Sequence, residues 1–314
     1  MTDLRLGALC WNQYTTWDDL LAAGRRADRL GFDDLWTWDH LYPIVGSSNG
    51  PILEGWLTLA AWAASTERVR LGLMVGANPF RNPALVAKMA TTLDHISHGR
   101  AILGIGAAWF EEEHLAFGLD FGSGPPERLR WLAEALPIMR GMLHGEEPSA
   151  TGPRYVAKAV RNLPAPIQDR LPLLVGGGGE QVTLKLVAKY ADANNVGGTA
   201  ANIQRKEAIL VQHCEAIGRD PAEIERTCGM GVVVIRDSRD EARRVYEGIV
   251  ARNGNGRPWE NQPVGTPEDV AAHVAERRAI GYHHLIAGFP SPHDEESMTR
   301  LAGEVRDLAE RDAG

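Results

Sequence analysis

Two spacings of apolar residues alternate along this chain. Residues 4–9 are apolar at every second position, as in a strand with one buried face, and residues 17–30 repeat apolar positions at helical spacing. The same alternation predicts further strands over 34–38, 69–75, 101–106, 173–175, 193–196, 229–235 and 283–287. Between and after them it predicts helices over 57–64, 82–96 (with Pro83 at the start), 128–143, 182–190, 203–217, 239–251 and 298–308. Eight strands, most followed by a helix, point to a single α/β domain over residues 1–314, a (β/α)8 TIM barrel. A doubly wound sheet is the alternative. Segments 117–125, 145–166 and 253–263 fit the alternation poorly; such long connections are often insertions or lids.

Composition narrows the class. Against 33 Lys and Arg stand 41 Asp and Glu, a net charge of −8 that argues against nucleic acid as a partner. No apolar run is long enough for a membrane span, and the first residues lack the layout of a signal peptide. Cys10, Cys214 and Cys228 lie far apart without metal-ligand spacing, so a reduced, cytoplasmic protein without a metal is expected.

Four consecutive glycines, Gly176, Gly177, Gly178 and Gly179, follow the apolar run ending at Val175 and precede a helix. Residues without Cβ let backbone N–H groups approach a ligand, and a helix N-terminus favours negative charge, so the run reads as a phosphate seat. A tight turn with spare glycines is the alternative. In a barrel, ligands sit at the C-terminal ends of the strands. Those ends carry Trp11 and Asn12, then Trp38, Asp39 and His40, then Met74 and Val75, then Trp109 with Glu111, Glu112 and Glu113. Aromatic walls with a few polar groups and a phosphate seat suit a flat heteroaromatic on a phosphorylated tail. His40 is the acid–base candidate, since an imidazole titrates near neutral pH. Asp39 points the other way on a strand, which argues against a charge-paired dyad. Of the three glutamates, Glu112 is the one expected to face inward.

Other motifs fail on spacing. Gly104 and Gly106 begin a dinucleotide fingerprint, but Trp109 stands at its third glycine. There is no P-loop and no nucleophile elbow, and His95 and His98 lack a third ligand nearby.

With these residues in view, the chain resembles the luciferase-like monooxygenase superfamily, in its coenzyme F420-dependent branch (F420 names an 8-hydroxy-5-deazaflavin cofactor, not a residue). The likeness is carried by Leu30-Gly-Phe-Asp-Asp-Leu-Trp-Thr-Trp-Asp-His40, Phe80-Arg-Asn-Pro-Ala-Leu-Val-Ala-Lys88 and Leu93-Asp-His-Ile-Ser-His-Gly-Arg-Ala-Ile-Leu-Gly-Ile-Gly106. Trp109 with the glutamates, the glycine run leading to Ala188-Lys-Tyr-Ala-Asp192, and Val264-Gly-Thr-Pro-Glu-Asp-Val270 complete it. The resemblance implies a bacterial-luciferase-like barrel in which Asp39 and His40 touch the deazaflavin ring. It implies a bulge with a non-prolyl cis peptide behind the ring, at about Met74 and Val75. It places Glu112 against the cofactor and the phosphate on Gly176, Gly177, Gly178, Gly179 and Glu180. Two departures speak against sugar-phosphate oxidation. Trp109 replaces the glutamate proton donor of the family's sugar-phosphate dehydrogenases, and Leu41-Tyr-Pro-Ile lacks their tryptophan after the Asp-His pair. Tyr42 is then a candidate substrate wall, with Trp11, Asn12, Trp38 and Trp109.

A basic stretch, Arg154, Lys158, Arg161 and Arg170, precedes the glycine strand; it is either a solvated loop or a seat for a polyglutamate tail. The expected function is hydride transfer between coenzyme F420 and a small organic substrate, with His40 as proton carrier, in a homodimer. The alternatives are an FMN-dependent monooxygenase using reduced flavin and O2, and a non-catalytic deazaflavin-binding barrel.

Overall fold

Eight parallel strands make up the sheet that the periodicity predicts, and a computed structural model describes residues 3–254 and 262–311 of the chain. The strands are β1 (Arg5–Cys10), β2 (Asp34–Thr37), β3 (Arg70–Leu73), β4 (Ala101–Gly106), β5 (Leu173–Gly176), β6 (Ala193–Val196), β7 (Glu225–Val232) and β8 (His284–Phe289). Their order is β3-β2-β1-β8-β7-β6-β5-β4, with a further pairing of β3 and β4, and the fold is a (β/α)8 barrel. The helices are α1 (Trp17–Leu30), α2 (Gly55–Ala63), α3 (Pro83–Ile96), α4 (Glu111–Ala116), α5 (Pro125–Leu143), α6 (Thr183–Tyr190), α7 (Ala200–Glu215), α8 (Arg239–Asn253) and α9 (Pro267–Arg278), before a C-terminal helical run. Of the segment 253–263, residues 255–261 lie outside the described residues.

Two compact units divide the chain, one of residues 1–70, 196–204 and 226–314, the other of 71–195 and 205–225. In the first, β1 pairs with both β2 and β8, and β8 with β7. α1 shows why a local pattern becomes a packed element. Thr16 caps its start by accepting from Asp19 N, Gly31 ends it in the left-handed region, and Leu20, Ala23, Gly24 and Ala27 form its buried stripe. The absent side chain of Gly24 makes room for the indole of Trp62 on α2, whose Nε1 donates to Leu20 O at 3.1 Å.

In the second unit β4 pairs with β3 and β5, and β5 with β6. Every residue of β4 is buried, as expected of a parallel strand covered on both faces. The strand expected over 69–75 stops at Leu73 and resumes at Gly76 and Ala77. α9 has no counterpart in the apolar periodicity. Its signal was chemical, because Thr266 and Asp269 form a capping box around Pro267. The 145–166 segment folds back as a short antiparallel hairpin, Ala150–Thr151 with Val156–Ala157. No helix among the described residues is long and apolar enough to cross a membrane.

Candidate functional site

Two buried amides organise the strand ends of the first unit. Beyond β1, Asn12 and Gln13 are both fully buried. Asn12 Nδ2 donates to Trp38 O at 3.2 Å and to Leu53 O at 2.5 Å. Gln13 Nε2 donates to Val45 O at 2.8 Å, while its Oε1 accepts from Ile44 N at 2.9 Å. The segment that leaves β2 and carries Asp39, His40 and Tyr42 is therefore pinned at its start, middle and end. Asn12, expected to line a substrate pocket, is occupied as this tether. Gln13 was not singled out from the sequence, because an amide at a strand end gives no local sign of what it will bond.

Trp11 and Trp38 are brought together with ring centroids 4.6 Å apart, tilted by 39°. His293, beyond β8, is 1% exposed, and its Nε2 lies 3.1 Å from Trp11 O. Burial pushes its pKa down to about 4, against the pull of that carbonyl. The ring is thus neutral near pH 7, and Nε2 carries the proton donated to Trp11. Asp39 is buried, while His40 and Tyr42 are half-buried.

At the opposite, N-terminal ends of these strands, Asp34 is buried among cations. Its Oδ2 lies 2.6 Å from His284 Nε2 and 3.3 Å from Arg5 Nη2, and its Oδ1 lies 3.9 Å from Arg70 Nη1. That end of a barrel serves stability.

The second unit contains the expected bulge. Gly72 pairs with Ile102 and Gly76 with Ile105, so the segment after β3 carries one residue more than β4, and the Met74-Val75 peptide is cis. The Val75 side chain fills the space left by glycines of the neighbouring strands. A Cβ on Gly106 would meet its Cγ2 at 2.8 Å, and one on Gly176 would meet both methyls at 2.8 Å. A Cβ on Gly104 would stand 2.0 Å from Leu73 O. Gly104 and Gly106, which mimic the start of a dinucleotide fingerprint, thus accommodate the bulge. Gly104→Ala is expected to destabilise the protein by about 3 kcal/mol, since the clash is with backbone. Urea denaturation measures it, and a loss below about 0.5 kcal/mol would contradict this packing.

Gly176 closes β5, and the loop proper begins at Gly177, whose φ of 110° lies where side chains are disfavoured. Gly177 N donates to Asn195 O at 3.0 Å, and Asn194 Nδ2 donates to Val175 O and Gly177 O, so β6 holds the loop's entry. α6 then starts without a side-chain cap. Glu180 forms a 2.5 Å ion pair with Arg205, and its carbonyl lies 2.9 Å from His213 Nε2.

After β4, Trp109 is 60% exposed and stacks on Phe110 with centroids 5.4 Å apart. Of the glutamates on α4, Glu113 is buried, while Glu111 and Glu112 are exposed. The helix carrying them begins at Glu111. The 145–166 hairpin is tied down rather than lid-like. Tyr155 OH lies 3.2 Å from Asn78 Nδ2, and Glu134 accepts from the backbone N of Arg154 and Tyr155.

The basic stretch does not form one seat. Arg154 pairs with Asp120 and lies over the Trp131 ring. Arg170 pairs with Asp192, next to the start of β5 and so at the other end of that strand from the glycine loop.

A family described as luciferase-like monooxygenase matches residues 6–263 of the chain. An F420-dependent glucose-6-phosphate dehydrogenase of Intrasporangium calvum is 34% identical over 290 residues, 90% of this chain and 76% of the relative. A 4-hydroxyprotoasukamycin monooxygenase of Streptomyces nodosus subsp. asukaensis is 28% identical over 239 residues, 72% of this chain and 61% of the relative. A solved F420-dependent secondary alcohol dehydrogenase, in complex with an F420-acetone adduct, superposes with a TM-score of 0.81 at 20% identity. That superposition covers 98% of this chain and 99% of the other, and it shows a shared fold.

Proposed function

The chain belongs to the luciferase-like monooxygenase family, and from that premise we propose that it is an oxidoreductase transferring a hydride between coenzyme F420 and an organic substrate. The observation that carries this reading is the 34% identity to an F420-dependent dehydrogenase over nine-tenths of the chain. A deazaflavin supplies, when bound, a ring carbon that accepts or donates hydride and reacts poorly with oxygen. The residues fit such a group. The glycine loop leads to a start of α6 without a side-chain cap, the kind of helix N-terminus that suits an anion. The Met74-Val75 bulge, supported by Gly104, Gly106 and Gly176, offers an apolar backing to a flat ring.

In this reading the chain's own work is positioning, water exclusion and one proton transfer. Asn12 and Gln13 fix the segment bearing His40, so its imidazole meets substrate without the entropy cost of ordering a loop. His40 holds or moves the proton. Trp11, Trp38 and Tyr42 wall the substrate. The relative named above oxidises a sugar phosphate, but Trp109 and Tyr42 argue for a different, less polar substrate here.

Titrating the purified protein with F420 and with FMN tests the proposal. Tight binding of the deazaflavin and much weaker binding of FMN is expected. Preference for FMN would favour the monooxygenase reading, which the Streptomyces relative keeps in view. Binding of neither below roughly 100 μM, about −5.5 kcal/mol, would defeat both. A chain that bound F420 yet turned over nothing in a substrate panel would be a carrier.

A further inference from the structure

Gly229 on β7 stands beside open space. A Cβ built on it would meet no heavy atom within 4 Å, and its φ lies outside the left-handed region. Glycine weakens the interior of a strand, so a reason for it is expected in packing or conformation. Its neighbours supply such reasons. A Cβ on Gly288 would come within 2.9 Å of Gly231 O, and one on Gly7 within 2.9 Å of Trp36 Nε1. Gly231 has a φ of 99°, where the register between β7 and β8 shifts. Neither reason applies to Gly229.

The space lies inside the barrel. Gly229 pairs with Ile286 of β8, and Ile286 pairs with Gly7 of β1. Partners across parallel strands share a face. Further down that face Arg5, Asp34, Arg70 and His284 converge from four strands, as side chains do within a closed barrel. Cys228 points the other way, buried and within electrostatic reach of Arg277 on α9. Gly229 and Leu9 are nevertheless partly exposed, so the inside of the barrel is open at their level. Leu9 and Trp36 stand two residues below Trp11 and Trp38, which makes this space the downward continuation of the substrate walls. Leu9 and Ile286 line it, so an apolar group gains there by burial.

The bulge and the glycine loop assigned to the cofactor belong to the second unit, whereas Gly229 shares the first with His40, Trp11 and Trp38. We propose that Gly229 is a specificity-determining residue, whose missing side chain admits an apolar arm of the substrate along β7 and β8, beneath Trp11 and Trp38. This rests on the functional reading above and narrows its substrate class to molecules whose reacting group carries an alkyl arm.

The full-length protein and its Gly229→Ala and Gly229→Leu variants are titrated with straight-chain alcohols from butanol to octanol, without cofactor and again saturated with F420. Tryptophan fluorescence reads the binding. Wild-type affinity is expected to climb about fourfold per added methylene. Gly229→Leu should weaken octanol by about tenfold or more and butanol by less than about twofold, with Gly229→Ala between. F420 affinity should change by less than about twofold in both variants, because the arm and not the cofactor fills the space. In turnover assays Gly229→Leu should raise KM for long-armed substrates and leave short ones nearly unchanged. The urea midpoint of Gly229→Ala should hold or rise, since its methyl enters open space and restrains the unfolded chain. That variant decides the matter should Gly229→Leu fail to fold.

Equal losses along the alcohol series, or a lowered stability of Gly229→Ala, would overturn the proposal. So would loss of alcohol binding on saturation with F420, which would give the space to the cofactor, or an effect of Gly229→Leu on turnover regardless of arm length. A protein that fails the F420 titration fails the earlier reading alone, because the alcohol series without cofactor still decides whether Gly229 admits an apolar arm.

Discussion

Replacing His40 by alanine is expected to lower the rate of hydride transfer by about 100- to 10,000-fold, the usual contribution of a positioned acid or base. Deazaflavin affinity should change far less. The expectation follows from where the residue sits. His40 lies just beyond β2, half-buried, on a segment that Asn12 and Gln13 pin through buried amide hydrogen bonds. The segment's backbone is held in place before substrate arrives, so in the proposed reaction the substitution would take away a proton carrier rather than a fold. Stopped-flow absorbance of the deazaflavin reads the rate directly, on any substrate the cofactor assay yields. A variant with wild-type turnover would end the role assigned to His40.

Asp34→Ala should cost about 3–5 kcal/mol of stability, the scale seen when one partner of a buried ion pair is removed. Burial alone raises the Asp34 pKa, but attraction to His284 and the hydrogen bond with it, followed by Arg70 and Arg5, holds the carboxyl below its usual range. The folded state therefore binds its proton less readily than the unfolded chain does. In that window the unfolded state carries more protons, so stability rises with pH. The contribution is complete above the unfolded value of about 3.9 and is lost as pH falls through the lower, folded one. Urea midpoints at pH 7 and at a series of values well below about 3.9 check this. Wild type should lose stability toward acid more steeply than Asp34→Ala, and parallel curves would contradict the assignment.

Much of this architecture was legible along the chain because parallel strands and their covering helices obey different periodicities. The eight strand positions emerge from that contrast alone, and so does the glycine run between β5 and α6. Boundaries were legible only where local chemistry marks them, as Thr16 and Gly31 do around α1. The break in the strand after Leu73 left no trace in the apolar pattern. It came through resemblance to a family, and the structure bears it out with the cis Met74-Val75 peptide.

The sequence by itself determined the alternation of strand and helix, hence the barrel, and the presence of a glycine loop before a helix. Both are encoded within a few consecutive residues, where spacing and missing Cβ atoms act directly on the backbone. Only the tertiary structure decided that Gly104, Gly106 and Gly176 make room for Val75, that Glu113 is the buried glutamate of its run, and that Asn12 and Gln13 serve as tethers. It also placed Arg170 at the end of β5 away from the glycine loop. Each of these depends on strand register and helix packing between residues distant in the chain, and no local periodicity carries that information.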